Sequence, residues 1–419
     1  MKIVHAADLH LDSPLRGLER YEGAPVEEIR GATRRALENL VELCVEENAP
    51  LLLIAGDLFD GEWDDYSTGL FFAAQMARLA EAGVQVVWVR GNHDAASRVV
   101  RRLRLPDNVR ELSDKRPESV GFDDLGVVVH GQSFARGAVE QDLSKGYPPP
   151  RAGSVNIGLL HTSATGREGH DVYAPCSVED LVGKGYDYWA LGHVHQREVL
   201  AREPWVVFPG NLQGRHARET GPKGATLIEL ESERIVSVEQ RVLDVVRWAV
   251  SRVDASEASS ADEVVDLARA AIERELALAE GRTLAVRVEV DGMTKAHAEL
   301  AAEPERWVHN VRQAALELAG DDVWVEKVRL RTRDEVDLVA LAESDDAVGQ
   351  LLKSLGELRA SDAELGLLAG ELSELRKKLP RELREGSRSL RLDDAGRLRE
   401  VLTDVEQQLL PRLLSREER

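Results

Sequence analysis

The sequence predicts an α/β protein in three parts. A layered α/β domain covers residues 1–240, a small α+β domain covers 241–333, and a helical region covers 334–419. Three observations predict this. Short apolar runs alternate with helical patterns up to about residue 240. The stretch from there to 333 reads β-α-β-α-β. Beyond it, leucines recur at helical spacing alone.

In order, residues 2–6, 51–55, 84–89, 127–130, 155–160, 186–191 and 206–208 are predicted strands. Nearly every position in them is apolar, as in strands covered on both faces. A helix over 25–48 sets Ile29, Ala36, Leu40, Leu43 and Cys44 on one face, and a second over 69–82 stops at Gly83. Ser177 is a helix N-cap before Val178, Glu179 and Asp180. Strands over 248–253, 284–290 and 323–330 then alternate with helices over 261–279 and 307–319. From Leu351 to Leu379 a leucine stripe runs at helical spacing until Pro380 and Gly386 break it. A further helix over 394–410 carries Leu398, Val401, Leu402, Val405 and Leu409. Such a stripe serves either a hairpin packed on its own domain or a docking face for a partner.

Composition narrows the function. With 419 residues the chain can bury a core without covalent staples. Its two cysteines, Cys44 and Cys176, have no CxxC spacing, which fits a reducing compartment and excludes a disulfide scaffold or zinc knuckle. Met1 to His5 opens a strand, not a signal segment, and no apolar run nears the roughly 20 residues of a membrane helix. The expectation is a cytoplasmic chain with no membrane association. A net charge of −21 argues against long-range capture of nucleic acid by this subunit alone, since a self-sufficient binder shows a basic footprint. It does not exclude a nucleic-acid substrate, because two divalent cations at a site bring about four positive charges.

The chemistry lies just past the strands. Asp8 and His10 follow the first, Asp57 the second behind Gly56, and Asn92 the third behind Gly91. His161 ends the strand over 155–160, while His193 and His195 follow the strand over 186–191 behind Gly192. Sites on open sheets collect past the carboxyl ends of strands. A D-x-H or H-x-H spacing turns both side chains to one side, and Gly56 permits close backbone approach. Each fragment alone is common: Gly-Asn-His-Asp is an ordinary turn sequence. Together they converge seven carboxylate, imidazole and amide groups, of which one carboxylate could bridge two ions. Mixed oxygen and nitrogen donors suit Mn²⁺, Fe or Zn²⁺ better than Ca²⁺. Two such ions clamp a phosphate and activate water. His5 and His130 lie within strands and are expected in the core; His170, His216, His297 and His309 lack ligand spacing.

The ordered motifs D-x-H, G-D-x-x-D, G-N-H-D, a lone His and G-H-x-H resemble the calcineurin-like metallophosphoesterase superfamily. The segments over 6–15, 56–60, 186–195 and 208–216 resemble its bacterial SbcD-type DNA repair exonucleases, and most of all their YhaO-like branch. The resemblance covers residues 1 to about 230. It implies a layered β-sandwich flanked by helices, with a capping α+β domain and C-terminal helices after it. It implies one metal on Asp8, His10, Asp57 and His195, and another on Asp57, Asn92, His161 and His193. It makes His93 the catalytic histidine, with Asp94 orienting it and Asp60 behind the ligands. The ions would be Mn²⁺, with Fe or Mg²⁺ as alternatives.

The reaction so implied is metal-assisted phosphodiester hydrolysis, with His93 as general acid or electrostatic stabiliser. DNA is the implied substrate, and a nucleotide or cyclic nucleotide is the alternative. Arg98, Arg101, Arg102 and Arg104 after the catalytic turn, and Arg215 and Arg218, either grip backbone phosphates or face solvent. The implied partner is an SMC-like coiled-coil ATPase of the SbcC type, bound by the C-terminal helices; a homodimer is a further expectation.

Overall fold

The computed structural model describes residues 1–13, 26–60, 66–96, 103–164, 173–334, 341, 343–344, 346–379, 392 and 394–417. Strands β1 (Lys2–Ala6), β2 (Leu51–Ile54), β3 (Gln85–Trp88) and β4 (Val109–Glu111) alternate with helices α1 (Val26–Glu46), α2 (Tyr66–Glu81) and α3 (Asn92–Ala96). Then come β5 (Glu118–Phe122), β6 (Val127–Gly131), β7 (Val155–His161), α4 (Val178–Gly183), β8 (Tyr188–Gly192), β9 (Glu198–Arg202) and β10 (Trp205–Phe208). A hairpin of β11 (Gly224–Glu231) and β12 (Arg234–Val242) follows.

These strands form two six-stranded sheets, ordered β12-β11-β1-β2-β3-β4 and β5-β6-β7-β8-β10-β9. β1 to β4 run parallel, as do β6, β7, β8 and β10. The period of two along each strand decides the layering. Ile3, Leu51, Leu53 and Val87 join Val129, Ile157, Leu159 and Val207 in one core between the sheets. Val4, Leu52, Ile54, Val86 and Trp88 face the other way, onto Ala36, Leu37 and Leu40 of α1 and Phe72, Met76 and Leu79 of α2. Leu160, Trp189, Leu191 and Val206 cover the far side of the second sheet with Leu181 of α4. The inner strands β1, β2, β6, β7 and β8 are covered by apolar side chains on both faces, which is why they carry almost no polar residue. The fold is the helix-flanked two-sheet sandwich that the resemblance implies. The N-cap at Ser177 accepts the Asp180 N–H at 3.0 Å.

Five strands escape the sequence pattern: β4, β5, β9, and β11 and β12 of the hairpin. β12 alternates exposed and half-buried positions, and β5 and β9 lie at sheet edges, so their runs are mixed in polarity. The hairpin places β11 antiparallel to β1, with Ile3 opposite Ile228.

Beyond it lie β13 (Val246–Asp254), α5 (Ala261–Leu278), β14 (Thr283–Met293), α6 (His297–Ala302), α7 (Pro304–Ala319) and β15 (Val323–Arg333). The three strands form one sheet in the order β13-β14-β15. The chain divides into two compact units. One is Met1–Ala249 with Leu276–Val286 and Asp321–Glu326; the other is Val250–Glu275, Arg287–Gly320 and Lys327–Arg419.

The leucine stripe is not one helix. It divides into α8 (Ala347–Ala360), α9 (Asp362–Glu371) and α10 (Ser373–Lys378), before α11 (Ala395–Glu417). Ser361 makes the first break, because its side chain accepts the Glu364 N–H and starts a new helix. Pro380 and Gly386 lie outside the described residues. Leu365, Leu392, Leu398 and Leu402 are buried in a cluster of their own, and α11 also packs on α6. Among the described residues no helix is long and apolar enough to cross a membrane.

Candidate metal centre

The parallel strands set the site. β1, β2 and β3 of one sheet and β7 and β8 of the other end at Ala6, Ile54, Trp88, His161 and Gly192. All seven predicted ligand residues follow or end those strands. Asp8, His10, Asp57, His161 and His193 are buried, and Asn92 and His195 half-buried.

They assemble into two groups. Asp8, His10 and His195 bring ligand atoms within 4.8 Å of one another, and so do Asp57, His161 and His193. In the first, Nε2 of His10 and Nε2 of His195 lie 3.2 Å apart. In the second, Nε2 of His161 lies 3.5 Å from Oδ2 of Asp57 and 3.0 Å from Oδ1 of Asn92. The Asp57 Oδ2 atom also stands 4.0 Å from His10 Nε2, so one carboxylate faces both groups.

The surrounding bonds aim these atoms. Nδ1 of His161 is 2.8 Å from the Ala55 carbonyl oxygen. A carbonyl only accepts, so the proton sits on Nδ1 and the Nε2 lone pair faces the site. Both oxygens of Asp8 accept the His193 N–H, at 3.1 and 3.0 Å, which ties the β8 loop to the β1 loop. Asp57 Oδ1 accepts the His93 N–H at 3.0 Å.

The donor set fits two cations. Burial, followed by the neighbouring Asp57, pushes the Asp8 carboxyl well above its ordinary range; a divalent ion between the two carboxylates removes that repulsion. Burial lowers His10 and His161 to about 3, leaving them as neutral imidazoles, the ligating form. Asp8, His10, Asp57 and His193 have positive φ of 53°, 44°, 53° and 105°. Left-handed backbone outside glycine costs about 1–3 kcal/mol per residue and collects at functional sites. Two glycines permit the close approach. A Cβ on Gly56 would stand 2.5 Å from His161 Nδ1, and one on Gly91 would stand 2.2 Å from Asp57 Oδ1.

His93 sits beside this pair, with its side chain 37% exposed. Its Nδ1 is 3.1 Å from Asp60 Oδ1. Burial works against its imidazolium, but the Asp60 hydrogen bond and the Asp57 and Asp94 charges outweigh it, so its pKa lies above the usual value. Asp60 also lies 3.6 Å from His10 Nδ1, on the side of the ring away from Nε2, and accepts the Ser13 hydroxyl at 2.5 Å. His10, Asp60 and His93 form a third potential ligand group. Asp60 therefore stands on the Nδ1 side of His10, behind its ligand face.

Asp94 differs from its expected role. Its carboxylate accepts the backbone N–H groups of Leu58, Phe59 and Gly91, at 3.2, 3.1 and 3.1 Å. Burial and Asp57 raise it to about 7. It joins the β2 and β3 loops, and Asp60 occupies the orienting position on His93 Nδ1. Arg215 also differs from a free phosphate grip. Its guanidinium meets Glu219 Oε1 at 2.9 Å and Asp60 Oδ2 at 3.5 Å, and is only 12% exposed. Arg98, Arg101 and Arg102 lie outside the described residues. His5 and His130 are buried in the core, on Tyr188 and on Ser119 and Asn156.

Glu219 is a site residue that the sequence analysis misses. Its Oε1 is 2.7 Å from Nδ1 of the ligand candidate His195. Burial opposes its charge, but His195 and Arg215 hold its carboxyl well below the usual range. It has no strand-end spacing, and its partner lies 24 residues away; the sequence carries no local signal for it.

Comparison with known proteins gives the family. Residues 1–197 match the calcineurin-like phosphoesterase family, and 248–333 match the middle domain of metallophosphoesterase YhaO. Over 374 residues the chain is 32% identical to the uncharacterized metallophosphoesterase YhaO of Bacillus subtilis (strain 168), covering 88% of this chain and 90% of that protein. Over 256 residues it is 28% identical to the DNA double-strand break repair protein Mre11 of Methanopyrus kandleri, covering 56% of this chain and 51% of that one. Over 164 residues it is 30% identical to one subunit of the nuclease SbcCD of Rhodobacter capsulatus, covering 38% of this chain and 34% of that one. The chain belongs to the calcineurin-like metallophosphoesterases, in their YhaO-like family, and is a metal-dependent phosphoesterase.

Proposed function

We propose that this protein is a two-metal phosphodiesterase that cuts DNA in repair, as the nuclease subunit of a complex with an SMC-like coiled-coil ATPase. The observation that carries the reading is the meeting of two ligand groups at Asp57, with His93 just outside both. Asp8, His10, Asp57 and His195 would hold one ion, and Asp57, Asn92, His161 and His193 the other. Bound there, two divalent cations, Mn²⁺ first and Fe or Mg²⁺ next, supply Lewis acidity and lower the pKa of water.

The chain's own residues do the remainder. His93 Nδ1–H is held by Asp60, which leaves Nε2–H to protonate the leaving oxygen of the scissile phosphodiester. The half-exposed ring keeps access to substrate, and its raised pKa keeps the proton available near neutrality. Asp94 keeps the β2 and β3 loops in register, so that Asp57 and His93 stay together.

DNA as the substrate is supported by similarity to proteins named for double-strand break repair and as part of a nuclease. The acidity of the chain, at −21, fits delegation of DNA capture to a partner. In this reading residues 1–240 carry the chemistry, 241–333 form the capping domain, and 334–419 bind the ATPase. Two buried free thiols, Cys44 and Cys176, support a cytoplasmic setting.

The test uses the full chain with Mn²⁺, Mg²⁺ or chelator, on single- and double-stranded DNA and on cyclic nucleotides. Mn²⁺-dependent DNA cleavage is expected. Hydrolysis of cyclic nucleotides without DNA cleavage would replace this reading by a small-substrate phosphodiesterase.

A further inference from the structure

Glu219 belongs to neither ligand group, yet it is densely bonded beside one of them. It is 6% exposed. Its Oε1 stands 2.7 Å from His195 Nδ1 and accepts from Arg215 Nη2 at 2.9 Å. Its Oε2 accepts from Asn211 Nδ2 at 2.9 Å and from the Arg215 main-chain N–H at 2.8 Å. Four residues on, the Lys223 ammonium donates to the His195 carbonyl at 2.7 Å. One short stretch of chain therefore holds His195 by its ring and by its main chain.

We propose that Glu219 is the positioning residue for the ion on the Asp8, His10 and His195 side, a proposal that rests on the two-metal reading above. A carboxylate only accepts, and at 2.7 Å it is nearer to His195 Nδ1 than Arg215 Nη2 at 3.2 Å, so it takes the Nδ1 proton and fixes the tautomer whose Nε2 lone pair points at the site, 3.2 Å from Nε2 of His10. A carboxylate on the outer nitrogen also makes the inner one a stronger donor. Arg215 donates to this buried carboxylate, and its Nη1 reaches Asp60 Oδ2 at 3.5 Å. The same guanidinium thus joins the support of His195 to the support of His93. His161, on the other side, takes its orientation from the Ala55 carbonyl, so Glu219 acts on one ion alone.

The experiment is a Mn²⁺ titration of the full chain and of Glu219→Gln by calorimetry, beside hydrolysis of a chromogenic phosphodiester at rising Mn²⁺. We expect one of the two affinities to fall by about 10–100-fold, the scale for loss of a ligand's supporting carboxylate. The second affinity stays at the wild-type value, and activity returns as Mn²⁺ is raised, with KM for the diester unchanged. A folded Glu219→Gln chain with both affinities at wild-type values overturns the proposal, as does an equal loss at both. If that variant does not fold, the His195 tautomer in the Zn²⁺-loaded wild type is read by ¹⁵N NMR: Nδ1–H supports the assignment and Nε2–H overturns it. A wild-type chain that binds both ions but cleaves no phosphodiester would sink the functional reading and leave this test standing.

Discussion

The imidazole of His93 is held from behind by Asp60, with Nδ1 3.1 Å from Oδ1, and not by its sequence neighbour Asp94. Burial lowers the His93 pKa, and the Asp60 hydrogen bond is the largest of the contributions that together outweigh it and raise that pKa. Its removal should therefore lower that pKa. A general acid works only while protonated, so the alkaline limb of kcat against pH should move to lower pH in Asp60→Asn, with kcat also reduced. Both ions should remain bound. An unmoved alkaline limb on a small chromogenic diester would detach Asp60 from His93.

His93→Ala should keep both metals and lose about 10²–10⁴-fold in kcat, the usual loss for a general acid. The His93 main chain, not its ring, meets Asp57, so truncating the ring leaves that bond in place. An inactive variant that has also lost an ion would make His93 a ligand.

Gly91→Ala should empty the centre. The new Cβ would stand 2.2 Å from Asp57 Oδ1, and that carboxylate cannot retreat without leaving both ligand groups. Metal analysis after gel filtration should find a folded chain with fewer ions than wild type. A folded variant with the full metal content would show that the Asp57 loop has room to shift.

The fold was legible where packing is two-sided. Strands such as Leu51–Ile54 are buried along their whole length, so their sequence is purely apolar. It was illegible where one face meets solvent, as in the β12 strand Arg234–Val242. The ligand candidates were legible because each sits at a strand end, all but the lone His161 beside a glycine or in a repeat spacing. Their supports were not. Glu219 reaches His195 through the tertiary fold, and Asp94, although adjacent to His93, turns back onto backbone N–H groups of 58, 59 and 91. The leucine stripe hid the start of a new helix at Ser361, because a single N-cap leaves the spacing of the leucines nearly unchanged.

The C-terminal helices use Leu365, Leu398 and Leu402 internally, while Leu367 and Leu375 remain 71% and 51% exposed. If these two exposed leucines dock the ATPase, Leu367→Asp with Leu375→Asp should abolish co-purification with it and leave hydrolysis of a small diester unchanged. Full co-purification of the double variant would move the interface elsewhere.

In this reading Asp57 serves two ions at once. Metal content and calorimetric stoichiometry of the wild type beside Asp57→Asn test it most directly. Two divalent ions per chain are expected in the wild type, with both sites weakened together in Asp57→Asn and hydrolysis lost with them. A wild-type chain that saturates at one ion, or an Asp57→Asn chain that still holds two at wild-type affinity, would contradict the shared carboxylate.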